Sequence, residues 1–304
     1  MSVKIELIND EKCQLGESPF WDEISQSLYF VDIFGKTVHR YTPSTKAYAK
    51  ALVGEKNVSF IIPVEGQENT FVIGYGNEIA KLIWDGVSDK IDNLETIAEL
   101  KNTSEISHRF NDAKVGPTGE LWAGVFIPKL GGGFTPNAGS LYALTSNNTL
   151  KTLTTGVTLS NGLVWNESTN KFYFIDSVAA EIYEFDCKDN ELSNRETIFK
   201  FRDLDIEGDP DGMTIDTNGN LWIACIRGSK IIHVDPRKPN TLLRTIEMPV
   251  KQVTCVVFAG PNYEDLYVTT ASIPVHNAPA PEGGWTYKIT GLGVKGLPPR
   301  RLRL

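Results

Sequence analysis

Cysteine is scarce in this sequence, and the few present have no pattern. Only Cys13, Cys187, Cys225 and Cys255 occur among 304 residues. None forms a C-x-x-C pair and none has histidines at zinc-finger distance, which argues against a zinc ribbon or a dithiol redox centre. Cys225 and Cys255 fall in apolar stretches and read as packed thiols, so a reducing, cytoplasmic compartment is expected. Histidine is equally sparse: His39, His108, His233 and His276 are scattered, and no Ser-His-Asp triad can be assembled from them. Gly16-Glu17-Ser18-Pro19-Phe20 lacks the closing glycine of a nucleophile elbow. There is no G-x-G-x-x-G or Walker loop, and Gly131-Gly132-Gly133 opens no helix, so it reads as a pliable loop tip. Basic residues are outnumbered by acidic ones, 30 to 38, and the net charge of −8 has the wrong sign for nucleic acid. Apolar runs are no longer than a strand, so no membrane span is expected. The opening MSVKIELIND lacks the basic-then-apolar pattern of a secretory leader. Long helical periodicity is missing too, with at best a local trace near Ser104 to His108. The basic tail Arg300-Arg301-Leu302-Arg303 reads as a solvated terminus rather than a lipid anchor.

What the chain does have is repetition. Six segments start with a polar or acidic residue and run into a strand-like stretch: GESPFWD, VSFIIPV, NDAKVGP, SNGLVWN, PDGMTID and VTCVVFA. Glu17, Ser59, Asn111, Asn161, Asp211 and Thr254 mark them at intervals of roughly 40–50 residues, the period of a β-propeller blade. A second marker runs in phase through SLYFVDI, TFVIGYG, ELWAGVF, KFYFIDS, NLWIACI and DLYVTTA. Turn chemistry such as Asn218-Gly219-Asn220 precedes most of these strands. A third strand follows in TVHRY, GSLYAL, EIYEF, KIIHV and TYKIT. A β-sandwich has no reason to repeat one pattern six times. The expectation is an all-β, six-bladed β-propeller with a central metal-binding channel. No linker divides the chain, so residues 1–304 are expected to form a single domain. The strand around Lys4–Leu7 should pair into the last blade and close the ring.

In a propeller the innermost strands line the channel, so the six markers should converge at one mouth. Glu17, Asn111, Asn161 and Asp211 would supply oxygen atoms there. Carboxylate and amide oxygens without sulfur or imidazole suit one hard divalent cation, with Ca2+, Mg2+ or Mn2+ favoured and Zn2+ possible. Three protein ligands leave positions open for water and substrate. Asn161-Gly162 and Asp211-Gly212 also fit hairpin tips, but each opens a channel strand instead of closing a hairpin. Arg109 sits at the rim, where a guanidinium can fork onto a substrate oxygen; a salt bridge to Asp112 or to another blade's acid is the plainer alternative. Asp112 should point off the channel, because side chains alternate along a strand.

GESPFWDE with LYFVDI, RFNDAKVGPTG, SNGLVWN with FYFIDS, PDGMTID with GNLWIA, and GLGVKG occur in that order. Together they resemble the senescence marker protein/regucalcin/gluconolactonase family over nearly the whole chain, most closely its animal branch with the luciferin-regenerating enzymes. The joint occurrence is specific where each motif alone would be weak. The resemblance implies a six-bladed propeller that holds a divalent cation and, in many members, hydrolyses sugar lactones. Carried over by motif, it implies metal ligands Glu17, Asn161 and Asp211, substrate contacts Arg109 and Asn111, and Asp211 as general base. The departure comes after the third blade's second strand. Animal lactonases commonly read A-G-T-M and then an acidic lid, whereas here Ala123-Gly124 is followed by Val125-Phe126-Ile127-Pro128-Lys129. Val125 and Phe126 replace the threonine and methionine, and Lys129 stands where a lid acid would align. With Ile127 and Phe134, the loop from Val125 to Asn137 should make an apolar cover over the metal. The expected function is a metal-dependent lactonase. The alternatives are a luciferin-regenerating-type activity on a small aromatic or heterocyclic substrate, and a non-enzymatic calcium-binding regulatory protein. The expected partner is a small-molecule substrate, with no nucleic acid and no membrane, the chain being a monomer or weak dimer.

Overall fold

The computed structural model describes residues 2–101, 108–274 and 282–304. The local helical trace noted around 104–107 lies outside them. Among the described residues there are twenty-four strands in six four-stranded antiparallel sheets, two short 3-10 turns and no α-helix. The inner strands are Gly16–Asp22, Val58–Pro63, Arg109–Val115, Ser160–Asn166, Asp209–Ile215 and Val253–Ala259. Each packs on the next, and the last packs on the first, so the sheets are six blades of a closed propeller. The closing strand is the expected one. Lys4–Leu7 pairs with Tyr287–Thr290 at the edge of the sixth sheet, Lys4 opposite Thr290.

The apolar core is divided among the seams between blades. In the fourth blade's second strand, Lys171–Asp176, Phe172 and Phe174 pack toward the third blade's Trp122 and Leu141. The alternate residues Tyr173 and Ile175 pack toward the fifth blade's Ile215 and Ile223. Both faces of these strands are covered, so they read as continuous apolar runs although the sheets are antiparallel. The seam between the last and first blades is filled by Val257, Ala259 and Tyr267 against Trp21, Leu28 and Phe30.

Every inner strand carries one extra residue relative to its partner, at the same level of the blade. The register shifts fall between Glu17 and Phe20, Val58 and Ile61, Phe110 and Ala113, Asn161 and Leu163, Pro210 and Met213, and Val253 and Cys255. A bulge of this kind bends the strand and interrupts the alternation of side chains. It also decides the reading of the Asn-Gly and Asp-Gly pairs. They are not hairpin tips; Gly162 and Gly212 lie inside inner strands at the bulge. A Cβ on Gly162 would come within 2.6 Å of the Met213 Cβ, and one on Gly212 would meet the Cys255 sulfur. These glycines are there because neighbouring inner strands approach too closely for a side chain.

The C-terminal tail is only in part a solvated terminus: Arg300 and Arg303 are exposed, but the segment is anchored along its length. Gly296 bridges to Asp216, and Leu302, 1% exposed, bridges to Val64. Arg301 pairs with the buried Asp22 at 2.5 Å, Arg300 with Glu167 at 2.5 Å and Arg303 with Glu65 at 2.6 Å. The sequence carried the positive charges, but their acidic partners lie on three separate blades that only the closed ring brings within reach. The tail is a strap across the end of the channel opposite Arg109. No helix among the described residues is long and apolar enough to cross a membrane. Cys13, Cys225 and Cys255 are buried free thiols and Cys187 is partly covered.

Candidate metal centre

Glu17, Asn111, Asn161 and Asp211 all sit at the inner-strand bulges. The Asn111 amide nitrogen donates to the Asn161 Oδ1 at 2.9 Å and to the Ser160 carbonyl at 2.9 Å. The Asn161 amide nitrogen donates to the Ser177 hydroxyl at 2.8 Å. These bonds fix both amide planes and turn the Asn161 oxygen toward Asn111. The Glu17 Oε2 accepts the Ser18 amide at 2.9 Å, and the Cys255 thiol is its side-chain hydrogen-bonding neighbour. No hydrogen bond among the described residues reaches the Asp211 carboxylate.

The electrostatics are those of a site short of positive charge. Burial, then the Asp112 carboxylate, push Glu17 up to about 8, with the Ser18 amide, Cys255 and Arg109 pulling the other way. Burial, then Glu17 and Asp112, push Asp211 well above the ordinary carboxylate range, and no cation offsets it. Two buried acids in this state are costly until a positive charge joins them. That is the observation on which a cation fits: two carboxylates and an oriented amide oxygen, a hard donor set. Among the described residues no three His, Cys, Asp or Glu side chains are grouped to hold a metal by themselves, so the amide oxygen of Asn161 is required to complete the set.

Arg109 lies where the rim was expected. It stacks on Phe126 at 4.5 Å and faces Phe34 at 5.8 Å. It is not engaged by Asp112; its charged neighbour is Glu17, while burial lowers it to about 10. Its Nε is buried without a hydrogen-bond partner. A cavity of about 590 Å³ opens at this end, lined by Asn161, Asp211, Phe134, Ser177, Arg227 and Ile273 among others. The loop after Phe126 folds back through a bridge from Pro128 to Phe134, and Phe134 meets Phe126 edge-on at 5.2 Å. Gly131, Gly132 and Gly133 have φ of +87°, +105° and +83°, and nothing packs where their side chains would be.

Two expectations fail, both because of the bulges. Asp112 does not point away from the channel. It sits beside Asn111 in the unpaired stretch between Phe110 and Ala113, and its charge bears on both Glu17 and Asp211. Its Oδ1 accepts the Ala113 amide at 2.8 Å, while its Oδ2 is buried without a partner. The six markers do not all converge either. The Thr254 hydroxyl donates to the Gly16 carbonyl at 2.6 Å, tying blade six to blade one, and the Ser59 hydroxyl lies against Gly74 of its own blade.

Two contributors were missed. Asp32 closes YFVD and Asp176 closes YFID, each the last residue of its second strand. Asp32 accepts the amides of Gln14 and Leu15 at 2.8 and 3.0 Å, just ahead of Glu17. Asp176 accepts those of Thr158 and Leu159 at 2.8 and 3.1 Å, just ahead of Asn161. The repeated aspartate at the end of the second marker was a legible signal. Blade five has Cys225 at the corresponding place, opposite Pro210, and two residues further on Arg227 pairs with Asp209 at the rim.

A family region described as SMP-30/Gluconolactonase/LRE-like matches residues 15–272. Regucalcin of Danio rerio is 38% identical over 303 residues, covering 98% of each chain. Regucalcin of Homo sapiens is 35% identical over 304 residues, again 98% of each. Among solved structures, a luciferin-regenerating enzyme superposes with a TM-score of 0.94 at 38% identity over 100% of both chains. A calcium-binding protein, regucalcin, from Agrobacterium tumefaciens shares the fold with a TM-score of 0.85 at 21% identity, covering 99% of this chain and 98% of its own. With a matched region that spans most of the blades and relatives aligned nearly end to end, this chain belongs to the SMP-30/gluconolactonase/LRE-like family.

Proposed function

We propose that the chain is a divalent-cation-dependent hydrolase of lactones, with the cation held by Glu17, Asn161 and Asp211. The observation that carries this reading is the buried Glu17–Asp211 pair, in which Arg109 bears on Glu17 but no side-chain cation offsets Asp211, and which lies beside an amide oxygen oriented by Asn111 and Ser177. A bound cation would polarise the ester carbonyl and make a nearby water more acidic. Asp211, kept basic by burial and by its acidic neighbours, is the group that takes the proton of the attacking water. Arg109 has an unpartnered buried N–H to offer a substrate oxygen, and Asn111 holds the amide frame beside it. The partner is a small molecule taken into the mouth cavity.

One observation favours a second reading. Phe34 and Phe126 flank Arg109, and Phe134 lines the mouth, giving the rim an aromatic surface in place of an acidic lid. Such a rim suits an aromatic or heterocyclic substrate, the kind of activity suggested by the similarity to a luciferin-regenerating enzyme. The experiment is a panel of sugar, unsubstituted and aryl lactones, assayed after chelation and after re-addition of Ca2+, Mg2+, Mn2+ or Zn2+. Metal-dependent turnover that disappears in Asp211→Asn supports the hydrolase. Metal-dependent stabilisation with no turnover of any lactone would leave a cation-binding protein without this activity.

A further inference from the structure

The channel has a second chamber at the strap end, of about 110 Å³. It shares no lining residue with the mouth cavity. Every blade gives it an apolar inner-strand side chain: Phe20, Ile62, Val115, Val164, Ile215 and Val257. The strap closes one side with residues 297–300, anchored by Arg300 on Glu167 and Arg301 on Asp22. The rest of the wall is mixed: Ser18, Thr214, Glu167 and Arg300 also line it, and the inner strands add two charges, Asp112 and Lys114. The two charges there are not equally satisfied. The Lys114 ammonium donates to the Met213 carbonyl and faces Asp112. Asp112, only 5% exposed, keeps its Oδ2 without a partner.

We propose that this chamber binds a small neutral molecule with a compact apolar body and one hydroxyl or amide N–H, which donates to the Asp112 Oδ2. At about 110 Å³ the chamber is smaller than the apolar cavity of about 150 Å³ that takes up benzene, so a single-ring ligand would place its donor group and part of its ring inside and the remainder toward the side the strap leaves open. Buried acceptors are normally paired, and here the chain itself supplies no donor. The same pair selects against charge: Lys114 already neutralises Asp112 and repels a cation, while Asp112 repels an anion. The site does not depend on the proposed lactonase reaction, because it is separate from the mouth and is read out by binding alone.

The test uses the full chain with benzyl alcohol, toluene and acetophenone as probes, by calorimetric titration and by soaking crystals. Benzyl alcohol should bind saturably and be seen inside the six apolar side chains. Toluene, which has no donor, should bind about tenfold or more weakly. Asp112→Asn turns the free acceptor into an N–H donor while its carbonyl oxygen keeps the Ala113 amide. The preference should then move from benzyl alcohol toward acetophenone. Ile215→Phe should fill the chamber and abolish binding. If that variant does not fold, Val257→Leu, which takes up part of the same space, should weaken binding at unchanged thermal stability. The proposal is overturned if the chamber in soaked crystals holds only ordered water, if benzyl alcohol is found only at the mouth, or if toluene binds as well as benzyl alcohol. It is also overturned if filling the chamber leaves the affinity unchanged.

Discussion

Replacing Asp211 by Asn should stabilise the metal-free protein while removing its response to metal. Burial raises Glu17 from 4.5 to about 8 and raises Asp211 in the same direction. Between those two values the folded metal-free chain holds a proton on Glu17 that the unfolded chain has released. Folding is therefore favoured at the acid end, and stability falls as pH climbs through that window. Carried to completion, the Glu17 rise corresponds to about 5 kcal/mol. Asp211 contributes a second buried charge, and an amide of the same shape abolishes it. The gain at pH 8 in chelator is expected at about 1–3 kcal/mol, the cost range of an unsatisfied buried polar group. At about 2–4 °C per kcal/mol for a large domain, the midpoint should rise by several degrees. At pH 5, where Glu17 is protonated in the parent and Asp211 is shifted toward its neutral form, the difference should shrink. Divalent cation at a hundred times its dissociation constant should stabilise the parent by about 2.7 kcal/mol. The variant should show little of this. The assay is thermal unfolding at pH 5 and pH 8, with chelator and with excess Ca2+ or Mn2+. A variant less stable than the parent in chelator at pH 8, yet still stabilised by cation, would refute the assignment of Asp211 to the cation site.

Arg109→Lys keeps the charge but loses the planar fork and the stacking on Phe126. It should lower kcat/KM roughly ten- to hundredfold, the worth of one charge-assisted hydrogen bond, with metal-induced stabilisation intact; steady-state kinetics beside thermal unfolding checks both. Asp176→Ala strands the Thr158 and Leu159 amides ahead of Asn161, so unfolding should become easier by about 2–4 kcal/mol and cation affinity should fall. Denaturant melts and a cation titration would read the two effects. Lys129→Glu should raise the ratio of kcat/KM for a polyhydroxylated lactone to that for an aryl lactone; an unchanged ratio would mean that the loop beyond Phe126 is only a surface excursion.

The ring was legible because it is written in long, repeated apolar patterns. Each second strand is buried on both faces, so Phe172-Tyr173-Phe174-Ile175 and its five counterparts stand out without knowledge of their neighbours. The closing strand Lys4–Leu7 was legible for the related reason that an unmatched strand before the first marker needs a partner. The site was legible only up to the bulges. Alternation places Asn111 and Asp112 on opposite faces, but one extra residue against the neighbouring strand brings both the Asn111 amide and the Asp112 charge to the channel. That extra residue is a property of the pair of strands, not of either sequence. The same is true of Thr254, whose hydroxyl goes to a carbonyl on the first blade, 238 residues away. It is true again of the tail, whose arginines looked solvated because Asp22, Glu65 and Glu167 are distant in the chain. Asp32 and Asp176 are a different case, since both lie within quoted motifs. They were passed over because a strand-end aspartate reads as a turn residue until its acceptors are seen to hold the segments that lead into Glu17 and Asn161. The bulge, the inter-blade bonds and these strand-end carboxylates together let acids so poorly solvated remain in place. The propeller holds them on three separate blades, so under the proposed function their unfavourable proximity would be relieved by gaining a cation rather than by moving apart.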